Sequence, residues 1–335
     1  TRDPAPATDT QVSPLLVTAR ELIADVATLP PPVILDVRWQ LGDPNGREHY
    51  YSGHIPGAQY VDLTSDLAGQ RNVREGRHPL PTPEDFEAAL RRVGINNDDR
   101  VVIYDDCGST SAARAWWLMR WAGKQDVYLL DGGLKAWIAE GEDLAVGPGN
   151  PVERGDFTFE LDHMRTADID QTAATPDEGV LVDVRAAERY AGHTEPMDSR
   201  AGHIPGAINL PTTSFLDERG RFLPAERIRA MFADIGVTSG QDTVVYCGSG
   251  IHACHALAAM EVAGLEAGRL FPGSWSQWSA ERRRPLPVGA APRPVEEGPG
   301  ARRSVDAFTT PIALCPTAAG FAAGAPVFRI PSTPP

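Results

Sequence analysis

Four short stretches of the chain are apolar at nearly every position: VILDV at 33–37, VVIYD at 101–105, VLVDV at 180–184 and TVVYC at 243–247. They are rich in β-branched residues and lack polar alternation, the pattern of strands covered on both faces. Between them lie segments with helical ends. Thr82 predicts an N-cap, with Pro83 at the first helical position, Asp85 three residues past the cap and Gly94 as the stop. After Cys247, a helix is predicted over His252–Ala263, closed by Gly264. The alternation of strand and helix predicts an α/β fold with a mainly parallel sheet flanked by helices.

The pattern occurs twice. VILDVR (33–38) returns as VLVDVR (180–185), GHIPGA (53–58) as GHIPGA (202–207), and the strand VVIYD as TVVYC. DGGLKAW (131–137) then answers to PGSWSQW (272–278). The offsets of 147, 149, about 142 and 141 preserve order with small insertions, so two homologous domains in tandem are expected. The expected boundaries are 13–145 for the first domain, 146–162 for a Gly- and Pro-rich linker, and 163–290 for the second. Eleven of the 30 prolines fall in 285–335 without any amphipathic period, so 291–335 is read as a disordered tail.

Composition narrows the function classes. With 31 Lys and Arg against 45 Asp and Glu, the net charge is −14 and no basic run interrupts it, which argues against nucleic-acid binding. The apolar stretches are strand-sized, so no membrane span is expected. No apolar signal core begins the sequence, and a cytoplasmic location is the expectation. The four cysteines, Cys107, Cys247, Cys254 and Cys315, are too few for a disulfide scaffold and form no CxxC pair that would suggest zinc.

Duplication supplies an internal control. Features shared by both halves serve the fold: Asp36 and Arg38 match Asp183 and Arg185, and His54 matches His203. The chemistry is expected where the halves differ. The first half ends its strand on Asp105; the second ends on Cys247, followed by Gly248, Ser249, Gly250, Ile251, His252 and Ala253. A cysteine at the carboxyl end of a parallel strand sits where such sheets bind ligands. Glycines after it can turn N–H groups inward as an anion nest, and a helix N-terminus follows. These effects stabilise a thiolate, so Cys247 is the expected nucleophile and the first domain is expected to be inactive. Arg189 also lacks a first-half counterpart and reads either as a solvated arginine or as a guanidinium for an anionic substrate. Cys254 reads as a small buried residue, and Cys107 is given no role.

The GHIPGA turns, the CGSGIH loop, the ACH start of the helix and GSWSQW together resemble the two-domain rhodanese-type sulfurtransferases over residues 13–288. The resemblance implies a persulfide mechanism with neither metal nor cofactor. Cys247 takes a sulfane sulfur from 3-mercaptopyruvate or thiosulfate and passes it to cyanide, a small thiol or a thioredoxin-like protein. It implies that Gly248, Gly250, Ile251, His252 and Ala253 cradle the sulfur and that Arg189 binds the donor's anionic group. It further implies a proton relay from Ser249 to His78 of GRHPLP, with Asp62 and Asp66 both near the place of its acidic member. Two positions depart from the family: Met197 stands where mercaptopyruvate enzymes carry a second arginine, and His252 stands where Thr is usual. At the start of the helix, His252 could be charged by the thiolate, although the helix N-terminus opposes this, and so replace part of the missing cation. A dual-specificity phosphatase is excluded by Ala253, where its loop needs arginine. A non-enzymatic persulfide carrier or interaction module is the alternative.

Overall fold

The computed structural model describes residues 14–161 and 164–288. The first sheet holds β1 (Leu16–Val17), β2 (Val33–Asp36), β3 (Gln59–Tyr60), β4 (Val101–Tyr104) and β5 (Val127–Leu130), in the order β1-β5-β4-β2-β3. The second holds β6 (Val180–Asp183), β7 (Ile208–Asn209), β8 (Thr243–Tyr246) and β9 (Arg269–Leu270), in the order β7-β6-β8-β9. Every ladder is parallel. The four apolar runs are therefore β2, β4, β6 and β8, four of the five inner strands, covered on both sides as their continuous apolarity requires.

The shared features are structural. Register sets Asp36 beside Tyr104 and Asp183 beside Tyr246 at the strand ends. Arg38 donates to Asp36 at 2.8 Å and to the Gly53 carbonyl at 2.7 Å; Arg185 repeats this with Asp183 at 2.6 Å and Gly202 at 2.8 Å. His54 and His203 each place Nδ1 2.9 Å from a tyrosine carbonyl and stack on that tyrosine, Tyr50 or Tyr190. Each charged pair thus ties a GHIPGA turn to the end of a central strand.

The helix ends follow local chemistry. Thr82 Oγ1 accepts from the Asp85 N–H at 3.1 Å, and the helix runs Pro83–Arg92. The helix after Cys247 runs Ile251–Val262, one residue earlier at each end than expected, because Gly250 serves as its cap. All of its residues except His252 and Glu261 are buried. It lies between its own sheet and the helix Ala112–Trp121 of the first domain, whose sequence AARAWWLMRW is apolar on all sides for the same reason. One continuous core therefore runs through both domains and includes Trp116, Leu257 and Val245.

The segment read as a linker is pinned to the first domain. Phe157 is buried in the shared core, its N–H donates to Ile95 O at 3.2 Å, and Gly155 N–H donates to Arg91 O at 2.8 Å. The expected tail, with Cys315, lies outside the described residues.

Candidate active site

Cys247 follows β8 directly and is 2% exposed. The Gly250 N–H points at its sulfur at 3.1 Å, so the loop turns a backbone donor onto the thiol. Gly250 has φ +82°, and a Cβ on it would lie 2.6 Å from the Pro272 carbonyl, so only glycine fits this turn. The loop is held from below by Trp275 N–H to Cys247 O at 3.0 Å and Ser276 N–H to Gly248 O at 2.9 Å. Gly248, Ser249, Gly250, Ile251 and Ala253 are all buried around the sulfur, whereas His252 is half-buried.

The first domain completes the site. His78 Nδ1 lies 2.8 Å from Ser249 Oγ across the domain boundary. Arg114, 0% exposed, donates to the carbonyls of Leu67, His78, Pro79 and Gly250, each at 3.2 Å, which fixes the His78 segment against the nucleophile loop. Neither expected acid joins His78. Asp62 caps the helix Leu63–Asp66 by accepting from Thr64 and Ser65, and Asp66 pairs with Arg92 at 2.7 Å. Burial, followed by Arg114, Arg77 and Arg71, pushes the His78 pKa down to about 3, so the imidazole is neutral at pH 7.

Arg189, on the short helix Ala187–Tyr190, pairs with Glu195 at 2.6 Å and lies 3.6 Å from Asp198. It is not a solvated arginine. Arg77 also pairs with Asp198, so the rim carries one guanidinium from each domain. His252 corrects an expectation: burial and the nearby Arg189 hold its pKa down to about 4, so at neutral pH it adds no charge in place of the cation missing at Met197. Its replacement by Thr is accordingly expected to change kcat/KM for thiosulfate and for mercaptopyruvate by the same factor. Parallel initial-rate measurements check this, and a selective loss with thiosulfate would contradict a neutral imidazole.

The other cysteines differ sharply from Cys247. Cys254 is fully buried, donates to Gly250 O at 3.2 Å, and is pushed up to about 12 chiefly by burial. Cys107 is half-buried beside the Trp39 carbonyl at 3.7 Å. In the first domain, Asp105 takes the place of the nucleophile, 0% exposed. Its carboxylate accepts from the N–H groups of Cys107 at 3.0 Å, Ser109 at 2.8 Å, Ser111 at 2.8 Å and Ala112 at 3.0 Å. The first loop is thus an anion nest filled by its own side chain.

The Rhodanese-like domain family matches residues 18–140 and 167–281, one match on each sheet. The chain belongs to the rhodanese family. SseB of Mycobacterium tuberculosis, whose name provisionally assigns it as a thiosulfate sulfurtransferase, is 42% identical over 280 residues, 83% of this chain and 98% of that protein. The 3-mercaptopyruvate sulfurtransferase of Escherichia coli is 34% identical over 251 residues, 73% of this chain and 86% of that one. The crystal structure of SseA from Escherichia coli, a 3-mercaptopyruvate sulfurtransferase, superposes with a TM-score of 0.69 at 31% identity, covering 78% of this chain and 99% of that one.

Sequence reasoning about this rhodanese-family chain missed Arg77 and Arg114. Arg114 carries a signal, a lone arginine within the apolar run AARAWWLM, where a charge survives only by meeting buried carbonyls. Arg77 carries none beyond its place next to His78. Among the described residues, no group of His, Cys, Asp or Glu is placed to hold a metal ion, and no helix is long and apolar enough to cross a membrane.

Proposed function

We propose that this rhodanese-family chain is a sulfurtransferase that carries sulfane sulfur on Cys247. With thiosulfate, the Cys247 thiolate attacks the outer sulfur; the S–S bond of the donor breaks, sulfite leaves, and the enzyme holds Cys–S–S⁻. With 3-mercaptopyruvate, the thiolate attacks the thiol sulfur, the C–S bond breaks, and the pyruvate enolate takes a proton. Ser249 Oγ, hydrogen-bonded to a neutral His78, is the group nearest the loop for moving that proton. In the second half-reaction cyanide, a small thiol or a thioredoxin-like thiolate attacks the outer sulfur, forms thiocyanate or a new persulfide, and returns Cys247 as thiolate. Reduced thiols of the cytoplasm suit that step.

The observation that carries this reading is the Gly250 N–H aimed at a buried Cys247 sulfur 3.1 Å away at a strand end. A sulfur anion needs little room and one or two donors, and the tight loop supplies them. Arg189 at the rim suits the anionic end of either donor. The relatives bear names of both kinds, and the choice between donors is left to the experiment.

The test is steady-state kinetics with each donor and cyanide, following thiocyanate. Parallel double-reciprocal lines are expected, as for a covalent intermediate shared by two half-reactions. Loading of one sulfur per chain without repeated turnover would instead support the persulfide-carrier alternative.

A further inference from the structure

Arg114 holds two sides of the site in one frame. Its four bonds go to carbonyl oxygens: Nε to Leu67, Nη1 to Gly250, and Nη2 to both His78 and Pro79, each at 3.2 Å. His78 Nδ1 and Ser249 Oγ, 2.8 Å apart, therefore belong to residues at or next to carbonyls on the same guanidinium. Trp39 packs against the imidazole in a T-shaped contact, with ring centroids 5.7 Å apart. A planar fork of donors can span carbonyls from separate segments, which a compact ammonium cannot.

The duplicated half shows that docking alone does not need this cation. GRHPLP (76–81) answers to GRFLP (220–224), so Phe222 stands in the place of His78. Each segment crosses to the other domain: a Cβ on Gly76 would stand 2.8 Å from the Gly273 carbonyl, and one on Gly220 3.5 Å from Gly108 Cα. The helices after the two loops close on Ala122-Gly123 and Ala263-Gly264, so Arg114 answers to His255 at the shared spacing of 141 residues. His255 is 0% exposed, stacks on Phe222 with ring centroids 4.8 Å apart, and places Nδ1 2.5 Å from Thr212 Oγ1. Burial pushes its pKa down to about 3, so the pair beside the silent loop carries no charge at pH 7. A buried guanidinium is far costlier to desolvate than such a ring. The costlier pair, His78 with Arg114, lies beside the loop that carries Cys247.

The two donors differ in what they ask of His78. When thiosulfate gives up its outer sulfur, the electron pair of the S–S bond leaves with sulfite and no proton moves. When 3-mercaptopyruvate does so, the electron pair of the C–S bond leaves on carbon, and the thiol hydrogen of the donor must end on the methyl group of pyruvate. We propose that Arg114, supplied by the domain without a nucleophile, is the positioning residue for that proton transfer. It fixes His78 against Ser249 and thereby sets how well the chain uses 3-mercaptopyruvate relative to thiosulfate. The inference rests on the sulfurtransferase reading and deepens it, giving the silent domain a part in donor preference.

Rates with each donor and cyanide are compared for the full-length chain, Arg114→Gln, Arg114→Lys, His78→Ala and the double variant Arg114→Gln with His78→Ala. A small misplacement of a proton-transfer group is costly, so Arg114→Gln is expected to lower kcat/KM about thirtyfold for mercaptopyruvate and about threefold for thiosulfate. Arg114→Lys keeps the charge and part of the carbonyl bonding, and recovers part of the difference. In the His78→Ala background the same Arg114→Gln change lowers both donors by one factor, because the group it positions is gone. An arginine that only held the fold would give equal losses for the two donors in every background. Equal losses, a selective loss that survives in His78→Ala, or failure of both Arg114 variants to melt cooperatively overturns the proposal. Long-range nitrogen–proton spectra of the histidine rings read His78 without turnover, with a single tautomer expected in wild type and a mixture in Arg114→Gln. A wild-type chain that makes no thiocyanate from either donor, but shows this change on substitution, keeps the role of Arg114 in holding His78 and loses the sulfurtransferase reading. Turnover with a single His78 tautomer in both proteins does the reverse.

Discussion

Substitution of Cys247 by serine abolishes sulfur transfer, with an expected loss of about 10⁴-fold or more, because a serine hydroxyl is neither ionised at neutral pH nor able to hold a sulfane sulfur. Mass spectrometry after donor treatment is expected to show one added sulfur on the wild-type chain, mapped to Cys247, and none on the variant. Cys254→Ser and Cys107→Ser are expected to keep turnover near the wild-type level. The contrast follows from local surroundings. Gly250 donates to the Cys247 sulfur, whereas the Cys254 thiol is itself the donor, to the Gly250 carbonyl, and burial pushes its pKa up to about 12. The two thiols thus meet opposite kinds of backbone group on one residue, the Gly250 N–H in one case and the Gly250 carbonyl in the other. A persulfide mapped to Cys254 alone would sink this assignment.

The second large effect belongs to the domain without a nucleophile. Asp105→Ala is expected to destabilise the protein by about 3–5 kcal/mol, since removing one partner of a buried, fully bonded charge leaves the others unsatisfied. Four backbone N–H groups, of Cys107, Ser109, Ser111 and Ala112, lose their acceptor at once. Burial pushes the Asp105 pKa up, and the N–H groups of Ala112, Cys107 and Ser109 oppose the rise, so the side chain and the loop hold each other. Ser109 has φ +66°, a left-handed conformation costly for serine that the carboxylate helps to maintain. In a thermal melt the loss corresponds to a Tm lower by roughly 10 °C for a unit of this size. Asp105→Asn, which keeps one acceptor oxygen, falls between alanine and wild type. A melt of Asp105→Ala within two degrees of wild type would show that water takes the place of the carboxylate.

The sequence alone was enough for the duplicated α/β architecture, the strands β2, β4, β6 and β8, and the position of Cys247 after the last of them. Those signals are local: β-branched runs, a Thr-Pro helix start, and glycines after a strand act through neighbours a few residues away. Comparing one half with the other also separated the Asp36–Arg38 and Asp183–Arg185 pairs, which hold turns, from the loop that differs. Placing His78 required a family resemblance, because 171 residues separate it from Ser249. The tertiary structure decided the rest. Docking of the helices Ala112–Trp121 and Ile251–Val262 brings Arg114 onto the Gly250 carbonyl and carries Arg77 to the rim of the loop. It also sets the charge of the site. His252 and His78 stay neutral because each is desolvated beside an arginine from another segment, Arg189 in one case and Arg114 in the other, with Arg77 next to His78 adding to the effect. A residue's burial and its charged neighbours are properties of the packed chain, so its sequence position alone could not reveal which side chains carry charge at the site.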